Sequence, residues 1–171
     1  QAFPSQRGDE AIGSAVVSTL EGSRPLLVEI QALTTPTSFG LPRRTANGVD
    51  FNRLLLVTAV LTKRVGLRLG NQDIMVNVIG GLKIGEPAAD LGIALAIASS
   101  CRDTAVAPNL AAVGEVGLSG EIRAVSQPDR RVAEAARLGF KRCLVPKAGT
   151  GVGLPHKDIE IVPVSTLKEA I

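Results

Sequence analysis

The sequence predicts one α/β (α+β) domain in which helices pack on a mixed sheet. Segments rich in Val, Leu and Ile alternate with segments whose apolar residues recur at helical spacing, in the order ββ-α-β-α-ββ-α-β-β-α. The chain has 171 residues, the size of a single domain, and 45% of them are hydrophobic. Because Trp and Tyr are absent, aliphatic side chains must fill most of the core.

A β-hairpin is predicted at the start of the domain. Residues 12–20 and 25–33 are rich in Val, Leu and Ile, and Glu21-Gly22-Ser23 between them is typical of a turn. Residues 34–47 contain Thr, Pro, Ser, Gly and paired Arg, which favours an extended loop.

Two helices with a strand between them are predicted next. Asp50 can cap the N-terminus of a helix that runs to about residue 65. Pro87 suits the first turn of a second helix, where its missing N–H costs nothing. Residues 73–79 form the intervening strand. The apolar stripes consist of Leu54, Val57, Leu61 and Val65 in the first helix, and of Leu91, Ala94, Leu95 and Ala98 in the second.

The remaining residues predict short strands, a third helix and a short terminal helix. The predicted strands are 111–116, 121–125, 142–145 and 159–164, and the predicted helices are 128–138 and 166–171. A glycine-rich loop, 149–153, separates the last two strands.

The composition excludes several classes of protein. No apolar run approaches the roughly 18 residues of a membrane helix, and the N-terminus lacks a secretory signal pattern. We therefore expect a soluble intracellular domain without a membrane partner. Cys101, Cys143 and His156 include no CxxC pair and cannot supply a clustered four-ligand zinc site, so buried reduced thiols are expected.

No segment carries a recognisable catalytic motif. A GxxxxGK[ST] phosphate loop is absent, and the glycines of 149–153 lack the flanking pattern of a dinucleotide site. His156 and the serines have no partner that the sequence places beside them. Glu86 and Asp90, spaced i and i+4, could share a helical face, although Glu86 also simply favours a helix N-terminus.

Residues 41–70 carry a local excess of basic side chains. Asp50 is the acidic residue of this segment, whose basic residues are Arg43, Arg44, Arg53, Lys63, Arg64 and Arg68. Such a segment can bind an anionic partner, but the residues alone favour a solvated basic face.

Several stretches resemble the C-terminal domain of the RadA (Sms) family. They are GSAVVSTLEGSRPLLVEIQAL (13–33), PRRTANGVDFNR (42–53), NVIGGLKIGEPAADL (77–91), GEVGLSGEIR (114–123) and, more weakly, EAARLGF (134–140). The combination, in this order, is specific. The resemblance implies a Lon-protease-like domain over residues 12–171 and a flexible N-terminal edge, 1–11, of a truncated chain.

The same stretches resemble the proteolytic domain of Lon, which uses a Ser–Lys dyad. The serine position of the Lon motif falls on Ala88, and the lysine position, counted from Gly114-Glu115, falls on Asp129. Alanine has no nucleophile, and aspartate cannot act as the deprotonated amine base. The resemblance therefore implies a domain without protease activity.

The family resemblance implies a fold like domain 2 of ribosomal protein S5 and assembly into a homo-hexameric ring. It implies a DNA-dependent ATPase that drives branch migration beside a recombinase in the bacterial cytoplasm, at the nucleoid. ATP, Mg and Zn would bind in regions that precede residue 1, and no cofactor is expected within these residues. This domain would act as a scaffold and hold double-stranded or branched DNA by its phosphates. The candidate DNA-binding residues are Arg24, Arg43, Arg44, Arg53, Arg64 and Arg123.

Two alternatives remain open. The domain could be a pure ring scaffold without DNA affinity, in which the arginines form ion pairs between subunits. It could also be a residual hydrolase that relies on Lys83 or on the pair Glu86 and Asp90.

Overall fold

The structure, a computed structural model, describes residues 11–148 and 157–171. Its strands are β1 (Ser14–Glu21), β2 (Arg24–Pro36), β3 (Arg44–Asn47), β4 (Gln72–Val78), β5 (Leu110–Ala112), β6 (Glu115–Val116), β7 (Ile122–Arg123), β8 (Arg142–Pro146) and β9 (Glu160–Val164). Its α-helices are α1 (Phe51–Val60), α2 (Asp90–Arg102), α3 (Pro128–Arg137) and α4 (Leu167–Ala170). The predicted α/β class is therefore confirmed.

A seven-stranded mixed sheet, in the order β3-β4-β2-β1-β5-β8-β9, forms the centre of the domain. The predicted hairpin β1–β2 lies within it, and Glu21 pairs with Arg24, so Gly22 and Ser23 make the turn. Strands β1, β5, β8 and β9 run parallel, whereas β2 is antiparallel to both β1 and β4. Strands β6 and β7 form a separate small hairpin.

Helices cover both faces of the large sheet. The main core joins α1, α2 and α4 to one face, and a smaller core joins α3 to the other. Helix α2 is buried at every position from Asp90 to Ser100, so the predicted stripe understates its burial. Its alanines and Gly92 allow this close packing, because small side chains let a helix approach its neighbours from all sides.

The structure corrects two sequence predictions and adds detail to a third. Residues 34–47 are not one loop, because β2 continues to Pro36 and Arg44–Asn47 form the edge strand β3 beside β4. The first helix ends as an α-helix at Val60 and continues as one π-helical segment, Leu61–Val65. The strand predicted over 111–116 is divided into β5 and β6, since the Gly114 N–H donates to the Ala88 carbonyl at 2.9 Å instead of continuing the sheet.

Other predictions are confirmed. Asp50 caps α1, and its carboxylate accepts a hydrogen bond from the Asn52 N–H at 2.7 Å. The third helix and the short last helix lie within a residue or two of their predicted bounds. The loop 149–153, His156 and residues 1–10 of the predicted N-terminal edge lie outside the described residues.

Gly92 is expected to be intolerant of a side chain. A Cβ atom at this position would lie 2.0 Å from Cγ1 of the buried Val17 on β1. We expect Gly92→Ala to lower the free energy of unfolding by about 1–3 kcal/mol through overpacking, although alanine favours helices by about 1 kcal/mol. Denaturant unfolding measures this. Gly70→Ala, which meets open space, should change stability by less than about 0.5 kcal/mol, and equal losses in both variants would contradict the close helix–strand contact.

Candidate functional site

The segment that leads into α2 carries Glu86, Ala88 and Asp90. Ile84 forms an isolated parallel bridge with Val49, and residues Pro87–Ala89 make one 3-10 turn before α2 begins. Ala88 is 6% exposed, and its carbonyl accepts the hydrogen bond from Gly114. The position that resembles the Lon serine therefore holds a buried methyl group.

Glu86 forms a bidentate ion pair with Arg131 of α3. Arg131 Nη2 lies 2.7 Å from Glu86 Oε1, and Nη1 lies 2.9 Å from Oε2. The Leu20 N–H and the Thr19 hydroxyl also donate to Glu86. Arg131 is 0% exposed and donates further to the Ser126 carbonyl at 2.7 Å. This network ties the segment before α2 to β1 and α3.

The Glu86 carboxylate is held in its ionised form. Burial by itself raises its pKa, but the hydrogen bonds from Arg131, Thr19 and Leu20 outweigh burial, and the pKa lies below its ordinary value. A general acid needs a raised pKa near neutrality, so Glu86 is unsuited to that role.

Asp90, at the start of α2, forms a second pair with Arg53 of α1. Arg53 Nε donates to Asp90 Oδ1 at 3.1 Å, Nη2 contacts Oδ2, and the Val116 N–H donates to Oδ2 at 3.0 Å. Burial raises the pKa of Asp90, whereas Arg53 and Val116 lower it by a smaller amount. This pair joins α1, α2 and β6.

The predicted carboxylate pair is therefore wrong as a shared helical face. Glu86 precedes the helix in an extended conformation, at φ −93° and ψ 141°. Each carboxylate has its own arginine, Glu86 on the α3 side and Asp90 on the α1 side. Both groups serve the packing of the segment rather than a joint acid–base site.

The segment around Ala88 and the first turn of α3, which contains Asp129, lie next to each other. Asp129 is exposed in the first turn of α3, two residues before Arg131. Ala88 lies two residues after Glu86, so the Glu86–Arg131 pair connects the segments at this point. The segment before α2 and the first turn of α3 are therefore joined by a buried arginine–carboxylate pair.

Three of the predicted arginines gather around the β6–β7 hairpin. Arg64 Nε lies 3.4 Å from the Leu118 carbonyl, and Arg123 lies 4.0 Å from Glu115 and 3.8 Å from Glu121. The negative charge of the same Glu115 contributes to the raised pKa of Arg53. Arg64 and Arg123 are exposed, whereas Arg53 is half-buried by its contact with Asp90.

The other predicted arginines lie apart from this hairpin. Arg24 begins β2 at the β1–β2 turn, and Arg43 precedes β3 at the opposite end of the sheet. Both are exposed and form no side-chain hydrogen bond or salt bridge among the described residues, although the charge of Arg24 lowers the pKa of Glu134 and that of Arg43 lowers the pKa of Asp73. Arg44 instead turns inward and donates to the carbonyls of Leu69, at 3.1 Å, and Gln72.

Residues 36–149 match a family model described as subunit ChlI of Mg-chelatase. The chain is 52% identical over 171 residues to the DNA repair protein RadA of Halalkalibacterium halodurans and 51% identical over 171 residues to that of Bacillus subtilis. It is 51% identical over 172 residues to the DNA repair protein RadA of Streptococcus pneumoniae. All three matches include 100% of the chain. The chain belongs to the family that this model describes, and over its whole length it is similar to the C-terminal part of these RadA proteins.

The chain spans 37%, 37% and 41% of the length of these RadA relatives, and it matches their C-terminal part. The resemblance to the RadA family inferred from the motifs is therefore confirmed. These relatives are named as DNA repair proteins, and more than half of their length lies outside the region that this chain matches.

Arg131 is the site residue that the sequence reasoning missed. The sequence pattern indicated no role for it beyond its place in the third predicted helix. A signal was nevertheless present, since Arg131 precedes Val132 and lies four residues before Ala135, both of which are core residues of α3. An arginine on the buried stripe of a helix requires a buried acceptor, and Glu86 provides it.

The cysteines and the acidic residues show no reactive cluster in the part of the chain that the structure describes. Burial raises the pKa of Cys143 to about 12, and Cys101 is partly exposed as a free thiol. Within residues 11–148 and 157–171, no group of three His, Cys, Asp or Glu side chains is placed to hold a metal. No helix within these ranges is long and apolar enough to cross a membrane.

Proposed function

We propose that the chain is a non-proteolytic, Lon-like module of a RadA-type DNA repair protein. In this role it serves as an oligomerisation scaffold and holds the backbone of double-stranded or branched DNA. The longer protein would be a hexameric, ATP-driven branch-migration motor of the bacterial cytoplasm, with ATP, Mg and Zn bound outside this chain. The names of the RadA relatives support a role in DNA repair.

The buried methyl group of Ala88 carries the non-proteolytic part of the proposal. The carboxylates on either side of it are occupied by Arg131 and Arg53, and Asp129 cannot replace a neutral amine. A residual hydrolase would need Glu86 to exchange protons near neutral pH, and its pairing with Arg131 opposes this. Lys83, the other residue of that alternative, has no serine that the Lon pattern supplies.

The free arginines carry the DNA-binding part. Arg24 and Arg43 are exposed and form no side-chain hydrogen bond or salt bridge within residues 11–148 and 157–171, and Arg64 and Arg123 make only long contacts. Guanidinium groups in this state can bind phosphates. Arg44 and Arg53 already have intramolecular acceptors, so the proposal places the phosphate contacts on the other four arginines.

Binding of duplex DNA over a salt series tests the proposal. We expect log K to fall with log[salt] at a slope of about −0.9 per phosphate contacted. Arg43→Ala and Arg123→Ala should each weaken binding regardless of duplex sequence and reduce the slope by about 0.9. Arg137→Ala is the matched control, since Arg137 is exposed but paired with Glu134.

Light scattering in parallel separates the proposal from the scaffold alternative. Multimers that bind no DNA at low salt would support the scaffold role and contradict the DNA-binding role. A monomer that binds DNA would support the DNA-binding role and contradict the scaffold role. Equal losses in Arg43→Ala and Arg137→Ala would contradict a specific phosphate surface.

A further inference from the structure

The loop between β2 and β3 carries the two most exposed large apolar side chains that the structure describes. Phe39 is 91% exposed and Leu41 is 87% exposed, and the next in order, Leu118, is 70% exposed. Single exposed apolar residues are common on protein surfaces, but two at the tip of one loop form a patch that a partner can bury. An aromatic ring is a frequent anchor of such contacts.

The base of this loop is fixed to strand β4. The carboxylate Oδ1 of Asp73 accepts hydrogen bonds from the Thr37 hydroxyl at 2.9 Å and from the Arg43 N–H at 2.8 Å. The Thr37 N–H donates to the Asn71 carbonyl at 2.8 Å. Gly40 turns the chain at the tip, with φ +61°. The loop therefore holds its apolar pair on a fixed base, which lowers the entropy lost on binding.

Two exposed arginines lie beside the loop. Arg43 follows the tip, and Arg68 lies three residues before Asn71, which contacts the loop base. The two guanidinium groups form no hydrogen bond or salt bridge within residues 11–148 and 157–171. The carboxylate of Asp73 already accepts two hydrogen bonds from the loop base. Both guanidinium groups can therefore bind an anion next to the apolar tip.

Helix α2 ends close to the same loop. The Thr34 N–H donates to Ser100 Oγ at 2.9 Å, which joins the last turns of α2 to the end of β2. The residues that follow, Arg102 and Asp103, are exposed and contribute one charge of each sign. They leave the positive charge beside the loop uncompensated.

A partner that fits this surface presents negative charge next to apolar faces. Nucleic acid does so, because phosphates flank the faces of its bases. Proteins that insert Phe or Leu between two base pairs hold the neighbouring backbone with basic side chains, and they must break the stacking at that step. The cost of unstacking is least where a base is mismatched.

We propose that Phe39 and Leu41 form an apolar wedge that enters an unstacked base step of DNA, while Arg43 and Arg68 bind the adjacent phosphates. The wedge rests on the proposed DNA-binding function. It adds a contact with the bases to the phosphate contacts and makes DNA that unstacks easily the preferred form.

A duplex with one mismatched base pair and 2-aminopurine beside it, compared with a fully paired duplex of the same length, tests the wedge. The 171-residue chain should bind the mismatched duplex roughly 10-fold more tightly and should raise the 2-aminopurine fluorescence. Phe39→Ala and Leu41→Ala should each remove the preference and the fluorescence change. Their salt slope should stay unchanged, because it depends on phosphate contacts alone.

Two further variants serve as controls. Phe39→Trp keeps a ring that stacks on bases and should keep the preference for the mismatch. Leu118→Ala removes an exposed leucine on another turn and should leave the 2-aminopurine signal unchanged. Because all three side chains are exposed, we expect every variant to remain folded, and circular dichroism checks this.

The possible outcomes separate the wedge from the DNA-binding function. Equal affinity for the two duplexes, or a preference that Phe39→Ala does not reduce, would overturn the wedge, and salt-dependent binding in the same series would leave the DNA-binding function standing. A chain that binds neither duplex at low salt would overturn both. Loss of multimers in Phe39→Ala with DNA binding unchanged, or Phe39-dependent binding to phosphatidylglycerol vesicles instead of DNA, would overturn the wedge and assign the loop to a protein or a lipid surface.

Discussion

Replacement of Arg131 by methionine is expected to destabilise the chain by about 3 kcal/mol. The substitution removes a guanidinium that is fully buried and leaves the Glu86 carboxylate without its counter-charge. Loss of one partner of a buried pair costs about 3–5 kcal/mol, and the 24% exposure of the Glu86 side chain places the effect at the lower end. Denaturant unfolding at neutral pH measures the loss.

A second substitution identifies the cause of this loss. Glu86→Gln removes the stranded charge but keeps an acceptor for the Thr19 hydroxyl and the Leu20 N–H. We expect Arg131→Met with Glu86→Gln to recover part of the stability that Arg131→Met loses. Arg137→Met changes an exposed arginine of the same helix and should cost less than about 1 kcal/mol. A double variant as unstable as Arg131→Met would attribute the loss to packing of the side chain rather than to charge.

The sequence predicted those elements whose pattern is local. The hairpin β1–β2 follows from two apolar runs on either side of a turn, and helix α1 follows from its apolar stripe and the Asp50 cap, all of which depend on neighbouring residues. Strand β3 was missed because it is short, polar and paired along one edge, so its conformation depends on β4. The division between β5 and β6 depends on the hydrogen bond from Gly114 to Ala88, which no local pattern reveals.

For the candidate site too, the sequence predicted some features and missed those that depend on distant residues. The loss of a nucleophile at Ala88 could be inferred from the resemblance to Lon. The pairs Glu86–Arg131 and Asp90–Arg53 could not, since their partners lie 45 and 37 residues apart in the chain. Each arginine taken alone was compatible with solvent, DNA or a carboxylate. The choice among these became visible only when the fold placed an acceptor beside it.

Replacement of Arg53 by methionine is the second change with a large expected effect, a loss of about 3 kcal/mol in the free energy of unfolding. It leaves the Asp90 carboxylate, which is 1% exposed, with the Val116 N–H as its remaining donor. Arg64→Met, on the π-helical segment that continues α1, alters an exposed side chain with one long contact and should cost less than about 0.5 kcal/mol. Equal losses would contradict a structural role for the Arg53–Asp90 pair.

The stability of Arg53→Met determines whether its DNA binding can be interpreted. A destabilised Arg53→Met chain would lose DNA binding whether or not Arg53 touches phosphate. Arg53→Met with Asp90→Asn removes the guanidinium but keeps a neutral acceptor for Val116, so we expect it to be the more stable of the two. If this double variant binds duplex DNA as tightly as the unmodified chain, Arg53 positions α1 against α2 and does not contact phosphate. If it binds as weakly as Arg43→Ala while remaining folded, Arg53 contributes to the phosphate surface through the part of its side chain that solvent reaches.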